Sequence, residues 1–314
     1  MARLFIDGSE GTTGLEIHQR LAGRKDLEII QIEPERRKDV ETRRACYDRA
    51  DLVILCLPDA AARQAAGWID DGSTRIIDAS SAHRTDPQWV YGLAELGPKQ
   101  RELVRSARRV TNPGCHATGF VLATAPLIDA GIVDREASLF VSSITGFSGG
   151  GKKLIAAYQQ GDPEALSAPR PYALSLKHKH LPEMKAVCGL AKTPLFVPVV
   201  GPFYRGMLVS VPLPAESLRR RGGRALIRQA LADRYAEEPF VTVAPLDAEP
   251  YLDEGGYLSP LGCNGTNRVE LFVFGNDEQV LVVARLDNLG KGASGAAVQN
   301  LNLMLGVEES RGLA

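Results

Sequence analysis

Leu52-Val53-Ile54-Leu55-Cys56-Leu57 is an unbroken apolar run that stops at Pro58. A strand with no polar alternation has no face to give to water. It must be covered on both sides, the mark of a parallel sheet. The neighbouring sequence supplies the covers. Residues 3–7, 27–32 and 75–79 read as further strands. Between them lie a helix-length stretch after Gly14, with Leu15, Ile17 and Leu21 on one side, and the Ala-rich stretch 60–68. Strand and helix alternating over short connections predict an α/β fold built on a right-handed, doubly wound sheet.

The pattern changes at Asn112. A helix is expected over 117–130, a strand over 138–144, and then the glycine-dense Gly146-Phe147-Ser148-Gly149-Gly150-Gly151. Residues 155–190 are rich in Pro and polar side chains. Later strands alternate better (195–200, 206–211, 240–243, 268–274 and 279–286), with a helix at 224–235. Runs of strands predict a second, mainly antiparallel α+β domain. The small-residue-rich helical tail, 292–305, is placed to return onto the first sheet. A chain of 314 residues buries about three quarters of its unfolded surface, so its core needs no disulfide or metal.

Charge excludes other classes. Thirty-seven basic and 38 acidic residues nearly cancel, whereas a nucleic-acid or membrane-surface binder normally carries basic excess. No apolar run approaches the ~20 residues of a membrane span, and Asp7-Gly8 interrupts the first apolar stretch too early for a signal-peptide core. The five cysteines, Cys46, Cys56, Cys115, Cys188 and Cys263, include no C-x-x-C pair. A cytoplasmic protein with reduced thiols is expected. The basic cluster Arg219-Arg220-Arg221-Gly222-Gly223-Arg224 reads as a solvated loop.

Gly8-Ser9-Glu10-Gly11-Thr12-Thr13-Gly14 lies directly between the first strand and the first helix. A loop there aims backbone N–H groups and a helix N-terminus at one place, which suits a pyrophosphate. Its glycines let the backbone approach the phosphates. Gly8, Gly11, Thr12, Thr13 and Gly14 are therefore the candidate cofactor loop. The second strand is expected to end at Glu33, where an acid usually holds the ribose 2′-OH of NAD. Arg36, Arg37 and Lys38 follow at once and suit the 2′-phosphate of NADP, with Arg36 or Arg37 offering the matching fork.

Asn112-Pro113-Gly114-Cys115-His116 carries the strongest chemical signal. Pro113 and Gly114 make a turn and an apolar helix follows, so the Cys115 thiol meets the positive end of a helix dipole, which favours thiolate. Such a nucleophile attacks an acyl carbonyl and holds it as a thioester. The proton donor is sought among five histidines: His18, His83, His116, His178 and His180. His116 adjoins the thiol, but neighbours on a helix diverge. His178-Lys179-His180-Leu181-Pro182-Glu183 is the more suggestive group. A metal pair is disfavoured, since no Cys, Asp or Glu set completes it.

At these residues the chain resembles the N-acetyl-gamma-glutamyl-phosphate reductases, in the shorter form found in many bacteria. The likeness also rests on Asp78-Ala79-Ser80-Ser81-Ala82-His83-Arg84, on the loop from Gly146 through Lys152-Lys153, and on Asp287-Asn288-Leu289-Gly290-Lys291-Gly292-Ala293. One departure is Ala82-His83, where longer relatives often carry Asp-Phe. The resemblance implies NADPH-dependent reduction of N-acetyl-L-glutamyl 5-phosphate to the 5-semialdehyde, within arginine biosynthesis. It implies Cys115 as nucleophile and His180 as acid/base, with His178 a substitute or orienting partner. Arg84 is implied for the acyl phosphate and Asn112 for orienting the substrate. Ser148 and Gly149 are implied for lining the nicotinamide side, and Asn288 for meeting the carboxamide. By the same analogy, residues 1–112 with 289–314 form a Rossmann-type cofactor domain. Residues 113–288 form a catalytic and oligomerisation domain that assembles dimers or tetramers. Rival readings are another acyl-phosphate reductase, acting on an aspartyl or aminoadipyl substrate, or a catalytically silent NADP-binding regulator.

Overall fold

The computed structural model describes residues 1–69, 74–162, 164–220, 222–276 and 278–313. Arg221 of the basic cluster and Ala314 of the tail lie outside them. The chain forms two compact units, the first comprising Met1–Ala94, Pro98–Pro113 and Ala293–Leu313. In chain order this unit begins β1 (Ala2–Asp7), α1 (Thr12–Leu21), β2 (Leu27–Ile30), α2 (Val40–Arg49), β3 (Leu52–Leu55) and α3 (Asp59–Ala66). It continues with β4 (Arg75–Asp78), β5 (Val90–Tyr91), α4 (Pro98–Ser106) and β6 (Arg109–Thr111). The six strands make one parallel sheet in the order β2-β1-β3-β4-β6-β5.

The apolar run does what its composition requires. Leu52 and Ile54 pack with Leu4, Ile6 and Ile77 against α1 and α4, while Val53 and Leu55 pack with Phe5 and Ile76 against α2 and α3. Each fully buried side chain of this kind contributes about 1.5–3 kcal/mol. The second strand is shorter than expected and ends at Ile30, so Glu33 lies exposed beyond it. Its ladder with β1 stops at Phe5↔Ile30, and Pro34 has no N–H with which to resume it. Helix α2 gives little periodic signal because it buries only Arg43, Cys46 and Tyr47. Its start is fixed by the Asp39 side chain, which accepts from the Thr42 N–H at 2.8 Å.

The second unit holds Glu95–Gly97 and Gly114–Gly292. Its elements begin α5 (Cys115–Asp129), β7 (Phe140–Gly146), α6 (Gly151–Gln160), β8 (Arg170–Pro171), α7 (Leu181–Val187), β9 (Leu195–Gly201) and β10 (Met207–Pro214). Then come α8 (Gly223–Tyr235), β11 (Val241–Val243), β12 (Val269–Gly275) and β13 (Gln279–Leu286). The sheet order is β11-β12-β13-β10-β7-β9-β8. Its pairs are antiparallel except β7 with β9 and β11 with β12. Helix α5 is buried from His116 to Ile128, apolar on every side as a core helix must be. The tail forms α9 (Gly295–Leu305), whose Ala297, Val298 and Leu301 complete the core of the first unit with Ile17 and Val104.

Candidate active site

In the first unit the candidate residues collect where strands end, as open parallel sheets favour. After β1 the chain turns at Gly8, with φ +84°. A Cβ there would meet the Cys56 carbonyl oxygen, and one at Gly14 would stand 2.6 Å from the Gly8 carbonyl oxygen. Only glycine allows this close crossing. Gly11 is the N-cap of α1, and no side chain caps that helix. The Thr12 hydroxyl is buried without a hydrogen-bond partner, and Thr13 is half-buried beside it. Uncapped N–H groups, an unused hydroxyl and a cradle that side chains would fill together fit the pyrophosphate of a dinucleotide. Arg36 leans towards Asp39, at 3.7 Å. Arg37 instead reaches the loop itself, 3.6 Å from Glu10, with its side chain 48% exposed.

After β4 comes a second tight loop. Buried Asp78 accepts from the Ser80 N–H and hydroxyl, each at 2.8 Å, and its carboxylate lies 2.6 Å from His83 Nδ1. Arg84 follows. Its Nε–H donates to the Asn112 carbonyl at 3.0 Å, and Nη2 donates to that of Ala79 at 3.3 Å. These two carbonyls orient the guanidinium. Asn112 is buried, and its side-chain amide donates to the Ala293 carbonyl at 2.9 Å and accepts from Asn300 at 3.2 Å. The side chain expected to orient substrate is thus engaged inside this unit, and its backbone carbonyl holds Arg84.

In the second unit Cys115 is the half-buried first residue of α5, after Gly114, with no side-chain cap. The Gly114 N–H donates to buried Glu183 on α7 at 2.8 Å, which fixes the turn before the thiol. Gly292 passes over it. A Cβ there would stand 2.7 Å from the Cys115 Cβ. Three imidazoles meet beside this helix start. Ring centroids lie 5.4 Å apart for His116 with both His178 and His180, and 4.7 Å apart for His178 with His180. His180 is buried at the start of α7, and its backbone N–H donates to His178 Nδ1 at 3.1 Å.

His116 is the residue that sequence reasoning set aside. It is 2% exposed, and its two ring nitrogens each lie 2.8 Å from a hydroxyl, Nδ1 from Ser143 and Nε2 from Tyr172. Burial, with the charges of His178 and Lys179, depresses its pKa to about 3. His116 therefore stays neutral in the working range and serves as a hydrogen-bonding strut. Burial and the nearby Cys115 charge raise the pKa of Tyr172 above the ordinary phenol range. The Cys-His adjacency was the one sequence signal for this group. Nothing in the spacing pointed to Ser143 or Tyr172.

Ser148, Gly149 and Asn288 also come together. The Asn288 amide donates to Ser148 Oγ and accepts from the Gly206 N–H, both at 2.9 Å. A Cβ on Gly149 would stand 3.5 Å from its Nδ2. Among the described residues no group of three or more His, Cys, Asp or Glu is arranged to hold a metal ion. No helix among them is long and apolar enough to cross a membrane.

Residues 4–104 match the family model described as the semialdehyde dehydrogenase NAD binding domain, and residues 115–288 match the semialdehyde dehydrogenase dimerisation domain. A protein of Nostoc sp. named N-acetyl-gamma-glutamyl-phosphate reductase 2 is 46% identical over 318 residues, covering 99% of each chain. A Burkholderia lata protein named N-acetyl-gamma-glutamyl-phosphate reductase is 44% identical over 98% of this chain and 97% of its own. Among solved structures, aspartate semialdehyde dehydrogenase II of Vibrio cholerae superimposes with a TM-score of 0.72 at 14% identity, over 97% of this chain and 98% of its own. The Francisella tularensis aspartate semialdehyde dehydrogenase gives 0.71 at 16%, over 97% and 100%. At these identities the structures show the fold.

Proposed function

The chain belongs to the N-acetyl-gamma-glutamyl-phosphate reductase family of the semialdehyde dehydrogenases, and we propose that it reduces N-acetyl-L-glutamyl 5-phosphate to the 5-semialdehyde through a thioester on Cys115. It is an oxidoreductase with a nicotinamide-dinucleotide domain, and its reaction serves arginine biosynthesis. The observation that carries the mechanism is a thiol at the uncapped start of a buried helix beside three clustered imidazoles. Phosphate-dependent reduction of NADP⁺ by N-acetylglutamate 5-semialdehyde tests it in the easily followed reverse direction. Faster turnover of the aspartyl or aminoadipyl semialdehyde would reassign the substrate.

In the reductive direction the Cys115 thiolate attacks the acyl carbon. A C–S bond forms, the C–O bond to phosphate breaks, and phosphate leaves with the electron pair. The departing phosphate takes up the one proton that the overall reaction consumes. When bound, a reduced nicotinamide would supply the hydride that the thioester carbonyl receives. His180 lends a proton to the oxyanion so formed. It takes the proton back as the C–S bond breaks, releasing aldehyde and thiolate. His178, whose Nδ1 accepts from the His180 backbone, orients that residue. Gly8 to Gly14 and Thr12 would hold the pyrophosphate, while Ser148, Gly149 and Asn288 would line the nicotinamide side.

Arg84 binds the acyl phosphate. Losing such a charge-assisted contact commonly costs about 2–5 kcal/mol, roughly 30- to several-thousand-fold. Arg84→Ala is expected to raise the KM for phosphate in the reverse reaction by that order while NADP⁺ binding holds. An unchanged phosphate KM would make Arg84 a structural residue.

NADP(H) is the preferred cofactor on this reading. Glu33 lies exposed beyond the strand end, whereas Arg37 reaches the glycine loop. Exposed charges are screened over about 8–10 Å, so the arginine nearer the loop governs. Replacing Arg36 and Arg37 together by Ala should erode the ratio of kcat/KM for NADP over NAD, with Arg37 contributing more. A preference for NAD that the double replacement leaves untouched would assign the site to Glu33.

Self-association uses the sheet of the second unit. Phe140 and Leu195, 39% and 47% exposed, are register partners on β7 and β9. Together they place an apolar pair on a domain whose family model is described as a dimerisation domain.

A further inference from the structure

We propose that His83 is a positioning residue for anion binding, acting through Arg84, the next residue in the chain. This rests on the reading of Arg84 given above. Asp78 is 0% exposed, and its carboxylate can only accept, so the His83 nitrogen 2.6 Å away carries the proton. Asp78 therefore gathers three donors from its own loop: the Ser80 N–H, the Ser80 hydroxyl and the His83 imidazole. The first two tie the start of the loop. The His83 bond ties its far end, next to the arginine.

The ring is held a second way. It stacks on Trp89, with centroids 4.2 Å apart and planes inclined by 13°, and the turn that brings Trp89 there is closed by Asp86 N–H to His83 C=O at 3.0 Å and Trp89 N–H to Asp86 C=O at 3.0 Å. Trp89 sets the plane of the imidazole, and Asp78 sets its rotation within that plane. A phenyl ring would stack equally well, so packing alone does not call for a histidine. What imidazole adds is the donor to a buried carboxylate. The same strand end serves Arg84 directly, because the Asn112 N–H donates to the Asp78 carbonyl at 2.7 Å and the Asn112 carbonyl accepts from Arg84 Nε–H. His83, Asp78 and Asn112 form one hydrogen-bonded frame, whose Asn112 carbonyl holds the guanidinium.

The test uses the full-length enzyme in the phosphate-dependent reverse reaction. His83→Phe keeps the stack and removes the donor. It should raise the KM for phosphate about 10- to 100-fold, the usual consequence of losing a hydrogen bond to a buried charged group, while the KM for NADP⁺ and the alkylation rate of Cys115 stay unchanged. His83→Asn, whose amide nitrogen stands near the place of Nδ1, should recover most of the loss. In an Arg84→Ala background His83→Phe should add less than about twofold, because coupled residues are not additive. If His83→Phe does not fold, His83→Gln, which moves the donor away from Asp78, carries the same expectation. A normal phosphate KM in His83→Phe, with a raised one in Arg84→Ala, overturns the inference and leaves the role of Arg84 standing. An equal loss with or without Arg84 overturns it as a general defect of the loop. A normal phosphate KM in Arg84→Ala removes the reading on which it rests.

Discussion

Cys115→Ser is expected to lower turnover by at least about 10³-fold, as loss of an enzyme nucleophile commonly does, while cofactor affinity stays near that of the native enzyme. A serine hydroxyl has no thiolate-like fraction near neutral pH and forms an oxygen ester in place of a thioester. The substitution should otherwise be silent. Residue 115 opens α5, whose start is held by the Gly114 N–H on Glu183, and oxygen is smaller than sulfur beneath Gly292, so the tight crossing there is kept. Steady-state rates of NADP⁺ reduction and fluorescence titration of the cofactor check both halves. Retention of more than a few per cent of native turnover would sink the thioester mechanism.

The second large effect is expected at His180. His180→Asn should lower kcat by roughly 10²–10⁴-fold, the span for losing general acid–base assistance. Asparagine suits a helix N-cap, so α7 should still begin at Leu181, and the backbone N–H that donates to His178 is untouched. His178→Asn should cost less, because an amide oxygen can still accept that N–H. The pH profile separates the roles. Loss of the acid/base should flatten the limb of kcat/KM that reports its titration, whereas loss of an orienting partner should lower the profile without removing the limb. His116 contributes no limb of its own, since its pKa of about 3 keeps it neutral throughout. If His178→Asn proved the more damaging change, the two assignments would be exchanged.

Much of this molecule is readable from local pattern. The apolar run through Leu57, the glycine loop after β1 and the thiol after Asn-Pro-Gly each declare themselves within a few residues, because each depends on local backbone geometry or on which face of an element meets water. Periodicity failed where that condition failed. Helix α2 hides one apolar edge in a polar sequence, with Arg43 buried against Asp7 at 2.6 Å. Strand β2 ends early, its ladder with β1 stopping at Phe5↔Ile30, and Pro34 has no N–H with which to resume it.

By itself the sequence determined the parallel α/β unit, the strand-rich second unit, the thiol proposed as nucleophile and the glycine loop proposed for phosphates. Only the tertiary structure decided which groups surround them. It turned His116 inward to Ser143 and Tyr172, brought His178 and His180 to the same helix start, laid Gly292 over the thiol, and engaged the Asn112 side chain within its own unit. The physical reason is range. Hydrophobic periodicity records how each short segment divides core from solvent. A hydrogen bond between buried polar groups depends on segments far apart in the chain arriving within about 3 Å of each other, and that is set by how the whole core packs.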